Sequence, residues 1–450
     1  MLDKIIKAYD IRGLVKGEIT PEFSFSLGVA FAKFLELERE PATIVVGEDM
    51  RDSSPILAKA FCDGATSLGM DAIRIGLAST DMLYFASGKL GLPGIMFTAS
   101  HNPAKYNGMK LCKSGARPIG KDSGLPLIKE FIEKGVPIST RPIGKVTNRN
   151  ILDEYVDFLI KQFPKNLFAR RKLKVVVDAG NGMAGYTVPA VMKKINLQLI
   201  PMYFELDGKF PNHEANPIEP KNLKDLQKRV IKEGADIGLA FDGDADRCFL
   251  IDENGGLVNP STLTALIAKR ELKKNPKSAI IYNLISSKTV PEVINENKGE
   301  AIRSRVGHSF IKNLMAETGA IFAGEHSGHF YFKNFWRADS GMLAALYALA
   351  ELMNTEETLS ELLLQFNRYH SSGEINSKVK DPKKSIAIVK KKYGKEYEVD
   401  ELDGLTITAR EWWFNLRPSN TEPLLRLNVE ANTQKQMMKI RNEVLAQIRR

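Results

Sequence analysis

Ile237-Gly238-Leu239-Ala240-Phe241-Asp242-Gly243-Asp244-Ala245-Asp246-Arg247 sets a short apolar run directly against three carboxylates and an arginine. The run reads as a strand, and open α/β sheets place their ligands in the loops that leave strand carboxyl ends. The aspartates stand at i, i+2 and i+4, so an extended segment turns all three side chains to one face. Converging carboxylates repel one another unless a cation sits among them, and hard oxygen ligands of this kind suit Mg²⁺. Solvated aspartates in a turn are the bland alternative. An EF-hand is the sharper one, because Glu253 falls at its twelfth position; Arg247 stands where that loop needs glycine, and the flanks read as strands rather than helices.

The same alternation of β-rich apolar runs and helical-period segments extends in both directions, which is the pattern of α/β layers. Upstream, residues 43–47, 72–75 and 94–98 read as strands and 24–37 and 55–68 as helices. A second block starts at 174–177 and ends in Asp178-Ala179-Gly180-Asn181-Gly182, and a third starts at 278–284 and continues to 320–323 before Gly324 and Glu325. After Ser371 the texture becomes lysine-rich, then strand-like at 405–409, 412–416 and 424–430, then helical over 434–448. That last part is an α+β appendage. A chain of 450 residues exceeds what one core organises, roughly 100 to 200 residues per domain. The expected partition is 1–146, 147–250, 251–368 and 369–450.

Composition narrows the function classes. Apolar residues make up 43% of the chain and charged residues 26%, as in a globular protein. The apolar stretches at 279–285 and 342–350 fall well short of the roughly 20 residues that cross a bilayer, and the charged first dozen residues do not read as a secretory signal. Cys62, Cys112 and Cys248 lack the spacing of disulfide or zinc frameworks. A cytoplasmic location with free thiols is therefore expected. The net charge of +10 is spread among acids, and Lys390-Lys391-Lys392 and Arg170-Arg171-Lys172 lack interleaved aromatics, so no nucleic-acid partner is expected. The excess suits attraction of small phosphorylated anions.

Three further segments carry chemistry. Thr98-Ala99-Ser100-His101-Asn102-Pro103 presents a serine after an apolar run, with turn formers that make an exposed loop of backbone donors. Taken alone, hydrogen-bonded turns are the commoner use of such residues. Gly324-Glu325-His326-Ser327-Gly328-His329 gathers a carboxylate, a hydroxyl and two imidazoles between glycines. Arg417-Pro418-Ser419-Asn420-Thr421-Glu422-Pro423 looks like an anion cradle, a guanidinium with hydroxyl, amide and backbone donors, though an ordinary turn between strands fits as well.

Together, and in this order, the four segments resemble the α-D-phosphohexomutase family, the bacterial phosphomannomutase/phosphoglucomutases in particular. The resemblance implies three similar α/β domains with mixed sheets and a smaller C-terminal α+β domain around a central active-site cleft. It implies reversible interconversion of hexose 1-phosphate and hexose 6-phosphate through phospho-Ser100 and a hexose 1,6-bisphosphate intermediate, with glucose 1,6-bisphosphate as activator. By the same resemblance, Asp242, Asp244, Asp246 and the phosphate on Ser100 hold Mg²⁺, with Arg247 beside that phosphate. His101 shapes the serine loop, and Lys110, in Tyr106-Asn107-Gly108-Met109-Lys110, serves as acid/base or charge stabiliser. Tyr9 and Arg12 lie near the site. Glu325 and Ser327 bond the sugar hydroxyls, His308 and His329 contact ligand, and Arg417, Ser419, Asn420 and Thr421 hold the idle phosphate. Glu48, His326 and Asp339 depart from the family pattern; His326 leaves the sugar open between mannose, glucose and glucosamine forms. A serine-dependent sugar phosphatase and a non-catalytic sugar-phosphate binder are the competing readings. A monomer or weak homo-oligomer is expected.

Overall fold

A computed structural model describes residues 2–137, 139–418 and 424–449. Four sheets follow one another along the chain. In the second, Leu197–Met202, Leu173–Asp178 and Ile237–Phe241 run parallel and Cys248–Asp252 returns antiparallel. The third repeats this with Glu300–Ser304, Ala279–Asn283 and Phe322–Gly324 parallel and Phe330–Phe332 antiparallel. The first repeats it again with Asp71–Leu77, Thr43–Glu48 and Gly94–Phe97 parallel and Tyr106–Lys113 antiparallel, and adds strands at both edges. In every case the turn between the last parallel strand and its antiparallel partner carries one of the polar segments. Three equivalent hairpin loops, 98–105, 242–247 and 325–329, thus become neighbours.

Local sequence explains the helices that frame them. Thr20 caps Pro21–Leu37 by accepting from Phe23 N at 3.2 Å, with proline in the first turn, and Leu27, Phe31, Phe34 and Leu35 form the buried stripe. Gly341–Leu352 is buried on nearly every side, so its all-apolar sequence needs no polar face. Its N-cap Ser340 accepts from Leu343 N and donates to Asp81 Oδ2 at 2.6 Å. Tyr155 donates to the same oxygen at 2.7 Å. One carboxylate therefore ties together residues of the first, second and third units, and its burial pushes its pKa up to about 6. Beside it, Trp336 stacks on Phe158 with ring centroids 5.2 Å apart and fills the space over Gly88, where a Cβ would lie 2.1 Å from the indole. One apolar core runs without interruption from Val45 through Val177 and Phe241 to Phe322 and Leu346.

The C-terminal sheet is antiparallel throughout, in the order His370–Lys378, Leu424–Ala431, Trp412–Pro418, Leu405–Thr408, Glu398–Asp400. Its core, centred on Phe414, Leu427 and Val444, is its own. The lysine-rich stretch proves to be structured: an edge strand with a bulge between Ser371 and Glu374, then a helix Pro382–Tyr393 capped by Asp381. No helix among the described residues is long and apolar enough to cross a membrane.

Candidate active site

The serine loop is held by bonds of its own. Thr98 Oγ1 accepts from Ser100 N at 2.9 Å, and Ser100 takes a left-handed backbone at φ 49°. Arg12 Nη1 donates to Asn102 Oδ1 at 2.5 Å, and its Nη2 pairs with Asp10. Ser100, only 4% exposed, donates from Oγ to Asp242 Oδ2 at 2.8 Å and lies 3.1 Å from His101 Nδ1. Burial and the guanidinium groups of Arg247 and Arg12 hold His101 well below the ordinary imidazole range. The neutral ring accepts from Arg247 Nη2 at 2.5 Å.

The three aspartates converge, but by a different route from the extended segment expected. Residues 242–247 form the tight loop of a hairpin, with Ala245 left-handed at φ 60°, and the turn itself brings one ligand atom of each carboxylate within 4.8 Å of the others. The antiparallel flanks dispose of the EF-hand, and Glu253 instead accepts from Ser360 on the far side. Gly243 is required: a Cβ there would stand 2.4 Å from the Ser100 carbonyl oxygen, so the serine and metal loops meet backbone against backbone. Asp242 accepts from Arg247 N at 3.1 Å and Nε at 2.9 Å. Lys110 Nζ donates to Asp244 Oδ2 at 2.6 Å and Asp246 Oδ2 at 2.5 Å, and Thr80 Oγ1 donates to Asp244 at 2.6 Å.

Charge is uneven across this cluster. Burial, joined by Asp246 and Asp244, pushes Asp242 up to about 7 against the pull of Arg247. Burial also opposes ionisation of Asp244, but the Lys110 ammonium outweighs it and holds that carboxyl low. Burial alone would lower the Lys110 pKa; its two carboxylate partners raise it well above the ordinary value. Asp244 Oδ1 and Asp246 Oδ1 are buried with no hydrogen-bond partner, the condition a bound cation relieves. The donor set fits a hard divalent ion.

The third loop closes on the second through an isolated antiparallel bridge between Arg247 and His329. His329 Nδ1 lies 3.0 Å from Asp339 Oδ2 and 3.9 Å from Asp246 Oδ1. Burial lowers its pKa, and Asp246 and Asp339 more than restore it. Asp339 also pairs with Lys312 Nζ at 2.7 Å, both side chains buried. Glu325 accepts from Tyr331 Oη at 2.6 Å and Gly307 N at 3.2 Å. His326 points elsewhere, its Nδ1 3.3 Å from Ser261 Oγ. Tyr9 packs edge-on against Phe310, and its hydroxyl fills the space over Gly307. The backbone of His308 opens the helix that follows. Arg417 Nη2 pairs with Glu374 at 2.7 Å, which also pairs with Arg426 at 3.2 Å. Ser419, Asn420 and Thr421 lie outside the described residues.

The structure thus brings Arg12, Ser100, His101, Lys110, Asp242, Asp244, Asp246, Arg247 and His329 into one cluster. Sequence reasoning missed Thr80, Lys312 and the packing role of Gly243. Thr80 and Lys312 sit in ordinary helical sequence with no local mark. Arg51 lies in Gly47-Glu48-Asp49-Met50-Arg51-Asp52-Ser53-Ser54, a segment that also resembles the family pattern, though the resemblance assigns the arginine no role.

Four family models match in succession: phosphoglucomutase/phosphomannomutase alpha/beta/alpha domain I over residues 3–137, domain II over 153–256, domain III over 259–369, and the C-terminal domain over 374–447. A phosphomannomutase of Escherichia coli (strain K12) is 40% identical over 450 residues, covering 98% of this chain and 97% of that one. One from Methanocaldococcus jannaschii is 39% identical over 437 residues, covering 96% and 95%. The crystal structure of a phosphoglucomutase/phosphomannomutase family protein from Burkholderia thailandensis superposes with a TM-score of 0.90 at 30% identity, covering 98% and 97%.

Proposed function

Because the chain belongs to the phosphoglucomutase/phosphomannomutase family, we propose that it interconverts hexose 1-phosphates and hexose 6-phosphates, mannose and glucose forms both, by way of a phosphoryl group carried on Ser100. The observation that carries this reading is the placement of Ser100 Oγ 2.8 Å from Asp242, within a cluster that also holds Arg247 and Lys110. Asp242, Asp244 and Asp246 would hold Mg²⁺, which when bound neutralises phosphoryl oxygens against an incoming hydroxyl.

Transfer is proposed to run in two halves. In the first, the bond from phosphorus to Ser100 Oγ breaks as a bond to the free sugar hydroxyl forms, and the hydroxyl proton ends on Ser100. The hexose 1,6-bisphosphate then turns over, and the other phosphate returns to Ser100 by the reverse exchange. Arg247 faces the charge that spreads over the moving phosphoryl group. Lys110, held as an ammonium between two carboxylates, suits charge stabilisation better than proton abstraction. His101 Nδ1, 3.1 Å from Ser100 Oγ, accepts from Arg247 and so would hold that guanidinium beside the serine. Glu325 and Ser327 would select the sugar hydroxyls. Arg417, with Ser419, Asn420 and Thr421, would keep the idle phosphate; the bulge near Gly373 is paired within the C-terminal sheet on both sides, so the pivot for the reorientation would be the link 367–369 that precedes the strand His370–Lys378.

Parallel assays with mannose, glucose and glucosamine 1-phosphates, each with Mg²⁺ and glucose 1,6-bisphosphate, test the reading. Isomer formation from the first two supports it. Preference for glucosamine 1-phosphate would move the chain to the glucosamine branch, release of inorganic phosphate without isomer would make it a phosphatase, and binding without turnover a sensor.

A further inference from the structure

We propose that Arg51 is a positioning residue for phosphoryl transfer: it moulds the loop that presents Ser100, and a segment of the second α/β unit clamps it there. The proposal rests on the reading that Ser100 carries the phosphoryl group. Arg51 leaves the carboxyl end of the strand Thr43–Glu48 and is 2% exposed. Its Nη2 donates to the carbonyl oxygens of Ser100 at 2.9 Å and Asn102 at 2.7 Å, and its Nη1 to those of Pro103 at 3.1 Å and Tyr106 at 3.0 Å. Its Nε donates to Asp49 Oδ2 at 3.2 Å. All five N–H groups of the guanidinium are therefore committed, four of them to main-chain carbonyls of one loop.

Asp49 is the matching counterion. Its Oδ1 accepts from Arg51 N and from Ser54 Oγ, and Ser54 Oγ in turn accepts from Asn107 Nδ2. The loop is tied to the clamp at both ends.

The second unit closes the arrangement from outside. The ring of Phe210 lies 5.1 Å from the guanidinium carbon. Gly208 approaches so closely that a Cβ would stand 2.7 Å from Arg51 Cα and 3.3 Å from Met50 O. The Ser100 carbonyl, gripped by Arg51 on one side, meets Gly243 on the other. This bears on chemistry because Ser100 holds a left-handed backbone that a residue with a side chain rarely adopts unaided. A lysine offers three donors from one point and cannot reproduce a fork spread over four carbonyls.

The test uses the full-length enzyme with Mg²⁺, comparing R51K, G208A and F210L with the wild type. It reads kcat, KM, and the rate at which labelled glucose 1,6-bisphosphate phosphorylates Ser100, followed by peptide mass spectrometry. R51K is expected to keep KM within about threefold while kcat and the rate of Ser100 labelling fall together by about 100-fold, as when a reacting group is displaced by about 1 Å. G208A and F210L are expected to lower the same two rates roughly tenfold at unchanged KM. Wild-type labelling and turnover in folded R51K, or in both G208A and F210L should R51K not fold, overturns the proposal. A wild type that turns over without ever labelling Ser100 would instead remove the parent reading.

Discussion

The joint between the serine and metal loops and the joint between the third unit and the C-terminal domain are built on opposite principles. At the first, Ser100, Asp242, Asp244 and Arg247 are buried, Gly243 lets two backbones touch, and Thr80 bonds Asp244 through both its amide and its hydroxyl. One apolar core underlies all three α/β units. At the second joint the contacts are polar and partly exposed: Lys288 N to Glu430 at 2.9 Å, Lys288 Nζ to the Ala409 carbonyl at 3.2 Å, and Arg303 to Asp400 at 2.7 Å. The C-terminal core is separate. Moving a phosphoryl group demands reacting atoms fixed before the event, whereas gripping one phosphate and then the other demands a grip that can shift. On the proposed mechanism, the buried joint would fix the reacting atoms and the polar joint would leave the phosphate grip free to shift.

The sharpest way to break this contrast is to strike the rigid joint at its centre. Ser100→Ala should lower mutase turnover by on the order of 10³-fold or more, while calorimetric affinity for hexose phosphates changes little; full activity would remove the nucleophile. Asp244→Asn should cost on the order of 10²-fold in kcat, and chelation of divalent ions should silence the wild type reversibly, with restoration by Mg²⁺. In the C-terminal domain beyond the polar joint the effect should be smaller and of another kind. Arg417→Lys loses the guanidinium fork and should raise KM about tenfold with kcat within about threefold. A loss confined to kcat would show that this end, too, takes part in the transfer.

The smallest expected effect lies just outside the rigid joint. His213 Nε2 bonds Asp178 Oδ2 at 2.8 Å in the segment that follows Phe210. Burial lowers the His213 pKa but Asp178 outweighs it, leaving it above the ordinary 6.5. A raised folded-state value means the pair stabilises below the unfolded value and loses that contribution as pH rises through the folded one. The melting temperature of His213→Asn should therefore trail the wild type by more at pH of about 5.5 than at about 8.5, by a few degrees at most. An equal deficit at both would assign His213 to packing alone.

What the sequence made legible follows the range of the interactions. The strand Ile237–Phe241 and the helix Gln434–Ile448 stood out because an apolar run and a helical period are local. The lysine-rich part of the C-terminal domain did not: the strand His370–Lys378 is an exposed edge, and the helix Pro382–Tyr393 buries only Val389 and Tyr393, so neither shows a clear apolar pattern. The aspartate spacing gave convergence, yet the convergence comes from a left-handed turn at Ala245 rather than from an extended strand, since alternation along a strand says nothing of a hairpin tip. Thr80 meets Asp244 across 164 positions and Arg51 meets the serine loop across 49 to 55. Partners that distant leave no local pattern, and only the fold brings them together.

The most direct test of the whole account is a pulse and chase at one side chain. The enzyme is labelled with isotopic phosphate from glucose 1,6-bisphosphate and then mixed rapidly with unlabelled hexose 1-phosphate, while the Ser100 peptide is followed by mass spectrometry. The account predicts label on Ser100 that leaves for the sugar at least as fast as the enzyme turns over. Label on another residue, or label on Ser100 that outlasts many turnovers, would contradict it.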